Sequence, residues 1–305
     1  MPRKLPTAAD PTAIGAVAAP PFARLPNPDS LFAQRAKRFA ALAPSSGVRP
    51  YLELLSDLAE AQAEVAHGLP PPPAPDDAAL ARARDHGMPP LDRAAVRADG
   101  LMAETLDGLF AAAAARDAPA TARAALERAA AARGEERDRR IANVLFQAIP
   151  ADEMAEHAYV AAGLQIHLAR LAAALDAERL QRIEDGVCPA CGGPPVASII
   201  VGWQAAHGAR FAACSLCGAL WHVVRIKCLR CGSTEGVRYQ EIDGGPGLIK
   251  AETCDACGSY VKVLHQHKDP DLDPVADDVA SLALDLLMRD GPYHRAGYNP
   301  FLLGY

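Results

Sequence analysis

The chain has 305 residues, half of them hydrophobic but only 5% aromatic, and 31 lysines and arginines stand against 37 acidic residues for a net charge of -6. That length predicts two domains, or one large domain with an appended module; the charge excludes a protein that binds polyanions over its whole surface and a disordered acidic chain. No uncharged apolar run approaches the roughly 18 residues that span a bilayer, so no membrane insertion is expected, and alanine runs at 111–115 and 129–132 predict closely packed helices.

Arg3 and Lys4 precede an alanine-rich stretch, but Asp10 and Pro11 interrupt it, and 14–19 is too short for a signal-peptide core. Residues 1–26 therefore read as a flexible start of a cytoplasmic protein.

Residues 27–185 read as an all-helical domain of six or seven helices. Asn27-Pro28 opens the first, with Leu31, Phe32, Ala36, Phe39 and Leu42 at helical spacing. Tyr51, Leu54, Leu55, Leu58, Gln62 and Val65 mark a second, which Gly68 can end. Pro70 to Pro73 with Pro75 form a stiff extended spacer. Helical patterns follow at 92–115, 119–132, 138–149 and 152–185, the last with Met154, Ala158, Ala161, Leu164, Leu168, Leu171, Leu175 and Ile183 on one face. His157 and His167 diverge by about 80 degrees on that helix and read as surface or capped histidines, not a metal pair. Arg137, Arg139 and Arg140 beside Glu135, Glu136 and Asp138 read as a solvated helix start.

All eight cysteines then arrive as four Cys-x-x-Cys pairs: Cys188/Cys191, Cys214/Cys217, Cys228/Cys231 and Cys254/Cys257, each followed by glycine at 192, 218, 232 or 258. In a metal knuckle the backbone turns about two thiolates and donates N–H groups to sulfur, and the next residue commonly needs a positive φ. Cys191 to Cys214 and Cys231 to Cys254 each enclose 22 residues, and every cysteine of the first set lies 40 before its counterpart, the mark of a duplication. Arg210 aligns with Lys250, and Leu220-Trp-His-Val223 with Tyr260-Val-Lys-Val263. Val196 to Val201 and Val237 to Glu241 read as strands, with turns at Gly208 and Gly244 to Gly247. The expectation is one small ribbon over 186–227 and another over 228–268, each folded around a four-thiolate site. Sequential pairing is favoured over cross-bracing by the regular repeat.

Disulfides are disfavoured by compartment and geometry, and a thioredoxin-type pair would open a helix, which these pairs do not. Four thiolates suit zinc and iron alike. Eight lysines and arginines against five acidic residues over 188–268 fit neutralisation of such sites better than a nucleic-acid footprint. A closed site leaves no position for substrate or water, and no dinucleotide loop, phosphate loop or nucleophile elbow is present, so the chain reads as a non-enzyme. If exposed, Trp221 and Tyr260 with His222, Arg225 and Lys227 would make an apolar, basic face for a protein partner; the competing reading puts Trp221 in the core between the ribbons.

Residues 269–305 begin with the acidic link Asp269-Pro-Asp-Leu-Asp-Pro274. A helix carrying Val279, Leu282, Ala283, Leu286 and Leu287 follows, capped by Asp273 with Pro274 at its first position and stopping near Gly291. An aromatic tail follows it.

The run Cys188-Pro-x-Cys-Gly, Cys214-Ser-Leu-Cys-x-x-x-Trp-His-x-Val-Arg-x-Lys-Cys-x-x-Cys231 and Cys254-x-x-Cys257 resembles the formate dehydrogenase accessory protein FdhE family. So do Leu31-Phe-Ala-Gln-Arg-Ala-Lys-Arg-Phe39, Tyr51-Leu-x-x-Leu-x-x-Leu, Asp278-Val-Ala-Ser-Leu-Ala-Leu-Asp-Leu286 and Asn299-Pro-Phe-Leu302. The resemblance implies an α plus small-β fold: a multi-helix N-terminal domain, two tandem rubredoxin-like modules and a C-terminal helix. It further implies two metal ions, each bound by four cysteines, with iron favoured over zinc, a homodimer, and a cytoplasmic accessory role in which the partner is the formate dehydrogenase catalytic subunit. Electron or sulfur transfer through the four-cysteine sites, or a nucleic-acid-binding zinc ribbon, are the alternatives.

Overall fold

The computed structural model describes residues 19–73, 76–96 and 99–302. Expectations for the alanine-rich start up to residue 18, for Pro75 and for the last three residues lie outside the described residues.

Eight helices precede the cysteines among the described residues: α1 (Pro28–Leu42), α2 (Arg49–Gly68), α3 (Asp77–Asp85), α4 (Arg93–Val96), α5 (Gly100–Ala114), α6 (Ala120–Ala131), α7 (Gly134–Leu145) and α8 (Met154–Ala173). The first opens as expected: Asn27 Oδ1 accepts from the Asp29 N–H, with proline in the first turn. Two aspartates account for the extra elements. Asp76 caps α3 through the N–H groups of Ala78 and Ala79, and Asp99 caps α5 through Leu101, so the pattern expected over 92–115 is not one helix.

The expected 152–185 helix ends at Ala173, and its single apolar face is a misreading. Helix α8 is the centre of the bundle and is buried on nearly every side, including His157, Gln165, His167 and Arg170. At Gly163 helix α5 comes so close that a Cβ would stand 2.5 Å from Leu106 Cδ2. The histidines are core residues rather than surface ones: His157 Nδ1 contacts the Glu153 carbonyl at 2.7 Å and His167 Nε2 lies 3.1 Å from Asp99. Arg137 and Arg140 are also buried, pairing with Asp107 and Glu136, so the solvated part of that cluster is Arg139 with Glu135 and Glu136.

The strands are β1 (Ala23–Arg24), β2 (Pro195–Ile200), β3 (Arg210–Cys214), β4 (Leu220–Val223), β5 (Val237–Gln240), β6 (Ile249–Cys254), β7 (Ser259–Leu264) and β8 (His294–Arg295). The two ribbons are not separate modules; they share one sheet of order β1-β4-β3-β2-β7-β6-β5, with β8 also on β7. Each ribbon is an antiparallel meander, and the seam between them is the parallel pair β2–β7, Ser198 opposite Val263 and Ile199 opposite Leu264. Residues expected in a flexible start close one edge instead: Ala23 pairs with Trp221 and Arg24 with Leu220.

Beyond the sheet lie α9 (Ala276–Ala280) and α10 (Leu282–Arg289). Asp273 Oδ1 accepts from the N–H groups of Val275 and Ala276, the cap expected of it. The expected single helix breaks at Ser281, and its face is rotated: Leu286 and Leu287 are exposed, while Asp278, Leu284, Asp285 and Met288 point inward. The reason is Lys262 on β7, fully buried, whose ammonium reaches Asp278, Asp285 and Ser281, with Arg295 closing the two-by-two charge cluster. A buried lysine requires such partners. The tail docks over α2, where the Tyr51 hydroxyl donates to the Phe301 carbonyl at 2.6 Å.

Candidate metal centres

The duplication brings the cysteines together two pairs at a time. Cys188, Cys191, Cys214 and Cys217 form one group and Cys228, Cys231, Cys254 and Cys257 another, all sulfurs within 4.8 Å in each. The grouping is sequential, not cross-braced. Sulfur separations are 3.6 Å for Cys188–Cys217, 3.5 Å for Cys191–Cys214, and 3.7 Å for both Cys228–Cys257 and Cys231–Cys254. A tetrahedral ion with bonds of about 2.3 Å to sulfur holds its ligands about 3.8 Å apart, so both groups fit a metal ion, and none of these distances is a disulfide.

The local fold explains why. Gly192, Gly218, Gly232 and Gly258 have φ of 69°, 75°, 73° and 62°, the left-handed conformation that lets the chain close each knuckle. The N–H groups of Leu216 and Cys217 donate to Cys214 Sγ, each at 3.4 Å. Burial opposes ionisation of Cys214, yet hydrogen bonds from Cys188, Cys191, Cys217 and the Cys217 backbone hold its thiol well below the ordinary range. Burial drives Cys188 well above it. In the second group burial pushes Cys228 up to about 12, whereas hydrogen bonds from Ser259 and the other thiols overcome burial and draw Cys257 down to about 7. A cation bound among such thiols would displace their protons.

The first group is tied to the helices. Gln165 on α8 donates to the Ser215 carbonyl inside the second knuckle at 2.8 Å; Gln62 donates to Gln165 at 3.1 Å, and Arg35 at 3.4 Å. Arg35 belongs to the N-terminal motif quoted above, a signal visible in the sequence although its contact with a site far along the chain was not.

The residues expected to face a partner do not form one surface. Trp221 is 1% exposed, its indole N–H donating to the Asp185 carbonyl at 2.9 Å, and Tyr260 is buried with its hydroxyl on Asp285. Both belong to the core, as expected of large aromatics on strands flanked by other strands. His222 is half-buried, edge-on to Phe211; Lys227 is half-buried against Asp185. Arg225 alone is exposed, donating to the Gly208 carbonyl at 3.1 Å. No described helix is long and apolar enough to cross a membrane.

Family models match in three consecutive blocks: FdhE, N-terminal, over residues 20–185; FdhE, central domain, over 187–225; and FdhE, C-terminal domain, over 226–302. A Protein FdhE homolog of Rhizobium meliloti is 49% identical over 303 residues, covering 98% of this chain and 99% of the relative. One of Stutzerimonas stutzeri is 36% identical, covering 94% of each. The crystal structure of the FdhE protein from Pseudomonas aeruginosa superposes with a TM-score of 0.84 at 32% identity, covering 93% of this chain and 99% of that one. With a helical bundle, a shared sheet and two groups of four cysteines all accounted for along its length, the chain belongs to the FdhE family.

Proposed function

We propose that this protein is a cytoplasmic accessory factor that binds the catalytic subunit of formate dehydrogenase and makes that enzyme competent without catalysing a reaction itself. The observation that carries this reading is membership of the FdhE family over nearly the whole chain. Two closed sets of four thiolates support it, because full ligation leaves no coordination position for substrate or water. Held there, an ion would supply cross-linking of each ribbon and, if it were iron, the capacity to exchange one electron. Cys188, Cys191, Cys214 and Cys217 would hold one ion; Cys228, Cys231, Cys254 and Cys257 would hold the second. Iron is the reading taken from the family resemblance, with zinc the alternative.

The partner surface moves with the burial of Trp221. Exposed Val224, Arg225 and Ile226 lie on the strap between the ribbons, where the Tyr239 hydroxyl donates to the Arg225 carbonyl; exposed apolar groups beside a cation are of the kind that mark protein contacts. A pull-down of purified formate dehydrogenase catalytic subunit by the tagged chain tests the reading, with Arg225→Glu/Ile226→Asp as the surface variant. Retention by the native chain and loss by the variant, metal content unchanged, is the expected result; no retention by the native chain would sink it.

A further inference from the structure

The two cysteine groups are equivalent in sequence and unequal in surroundings. In the first, all four residues are at most 2% exposed; in the second, Cys231 is exposed and Cys257 half-exposed. The four knuckle glycines report the same asymmetry independently. A Cβ at Gly192 would meet Pro89 at 2.8 Å, and one at Gly218 would meet Leu31 on α1 at 2.9 Å, so the helical part sits directly on both knuckles. At Gly232 and Gly258 the nearest atoms are 3.6 Å away, Lys227 Cε and the Pro292 carbonyl. Among the described residues, no atom of a bundle helix lies within 4 Å of a Cβ at either glycine.

Cys231 opens into a cleft of about 560 Å³ between the second ribbon and the segment that follows α8. Arg182, Lys227 and Arg230 line it with Glu184 and Asp185. Asp185 pairs with both Arg182 and Lys227 at 2.5 Å, whereas the exposed guanidinium of Arg230 has no partner among the described residues. The cleft has the size of a small-molecule site and a net positive lining.

We propose that the second cysteine group is an exchangeable metal site, loaded and unloaded through this cleft by a small anionic chelating ligand, while the first is a permanently closed one. This rests on both groups being metal sites. The step would be ligand substitution: a donor of the incoming ligand would bond the ion as the bond to Cys231 Sγ broke, and Cys231 would leave as a free thiolate facing the cleft. The oxidation state of the ion does not change. Arg230 draws the anionic ligand in, and the exposed Cys231 is the first thiolate to yield.

The full chain, loaded with two equivalents of zinc, is mixed anaerobically with excess EDTA, and zinc retained after desalting is counted over time. One equivalent is expected to leave at least about tenfold faster than the other, as local opening precedes global opening. Cys231→Ser should hold one equivalent and show only the slow loss. Arg230→Glu, which removes no ligand, should slow the fast loss to EDTA severalfold and leave loss to neutral 1,10-phenanthroline unchanged. A single rate for both equivalents, disappearance of the slow loss in Cys231→Ser, or an EDTA rate indifferent to Arg230→Glu would each overturn the proposal. Failure of the native chain to take up two equivalents before any chelator is added would overturn the metal-site reading itself, and the proposal with it.

Discussion

Arg210 and Glu252 form an ion pair, Nη2 to Oε1 at 2.8 Å, with both side chains at most 3% exposed, joining the third strand of the sheet path to the sixth across the seam of the duplication. Arg210 also donates to Ser198 and to the carbonyls of Arg225 and Lys227, the strap that leads into Cys228. One side chain in the first ribbon therefore sets the entry to the second cysteine group. Arg210→Met strands a buried carboxylate and two carbonyls and is expected to cost about 3–5 kcal/mol, read by urea unfolding. Adding Glu252→Gln, which removes the orphaned charge, should recover part of the loss. An additive double variant would show that the two side chains do not act as a pair.

Trp221 reports on the metal-linked half of the molecule. The knuckle loops depend on the ion they ligate, whereas the helices and the inner strands bury their apolar residues in one continuous core. Cys191→Ser is expected to lower metal content and shift the emission of Trp221 to the red while most far-UV helicity persists. Trp203 is the other tryptophan, so Trp221→Phe identifies the source of the signal. Collapse of the helical spectrum alongside would mean that bundle and sheet fold as one unit.

His265 gives the protein an acid-sensitive edge. Burial first, then the neighbouring Lys268, His267, Lys250 and Arg225, lower its pKa from 6.5 to about 4, and its Nε2 is buried without a hydrogen-bond partner among the described residues. Because the folded value lies below the unfolded one, its contribution to stability is complete above pH 6.5 and is lost as pH falls towards 4. The full shift corresponds to about 3 kcal/mol, which solvent on its open side reduces to about 1–2 kcal/mol. His265→Phe should flatten, not abolish, the fall in stability from about pH 6.5 to about pH 4.5, since burial lowers His157 and His167 as well. An unchanged slope would remove His265 from this role.

Gly163 is predicted to be the least replaceable glycine of the bundle. Alanine there drives its methyl into Leu106, and overpacking of this kind costs about 1–3 kcal/mol. Gly47→Ala, with nothing within 4 Å of the added carbon, is the control. Equal thermal midpoints for the two variants would refute the close approach of α5 and α8.

The cysteine groups were legible because their information is local: ligand spacing, glycine after each knuckle and a 40-residue period all survive reading in one dimension. The first two helices were legible for the same reason, through Asn27-Pro28 and Gly68. Failures have a common physical cause. The extent and burial of α8 and the inward turn of Asp278 and Asp285 each depend on what lies across the fold, as does the choice between an exposed and a buried Trp221 that the sequence left open. A helix buried all round has no polar face to betray its orientation, and an aspartate reads as solvent-facing until its lysine is found on a strand earlier in the chain. Fusion of the ribbons through β2–β7 has no one-dimensional signature at all.

Arg35 and Arg38 on the first helix bind Asp273 and Asp277, partners 238 and 239 residues further along the chain, and β1 waits for β4, itself far downstream. Such distant closures delay completion during synthesis: the helices can gather while the ribosome is still translating, but β1 must wait for β4, and Arg35 and Arg38 must wait longer for the acidic link. The first helix and the acidic link thus lock one another, so loss of either is felt at the other.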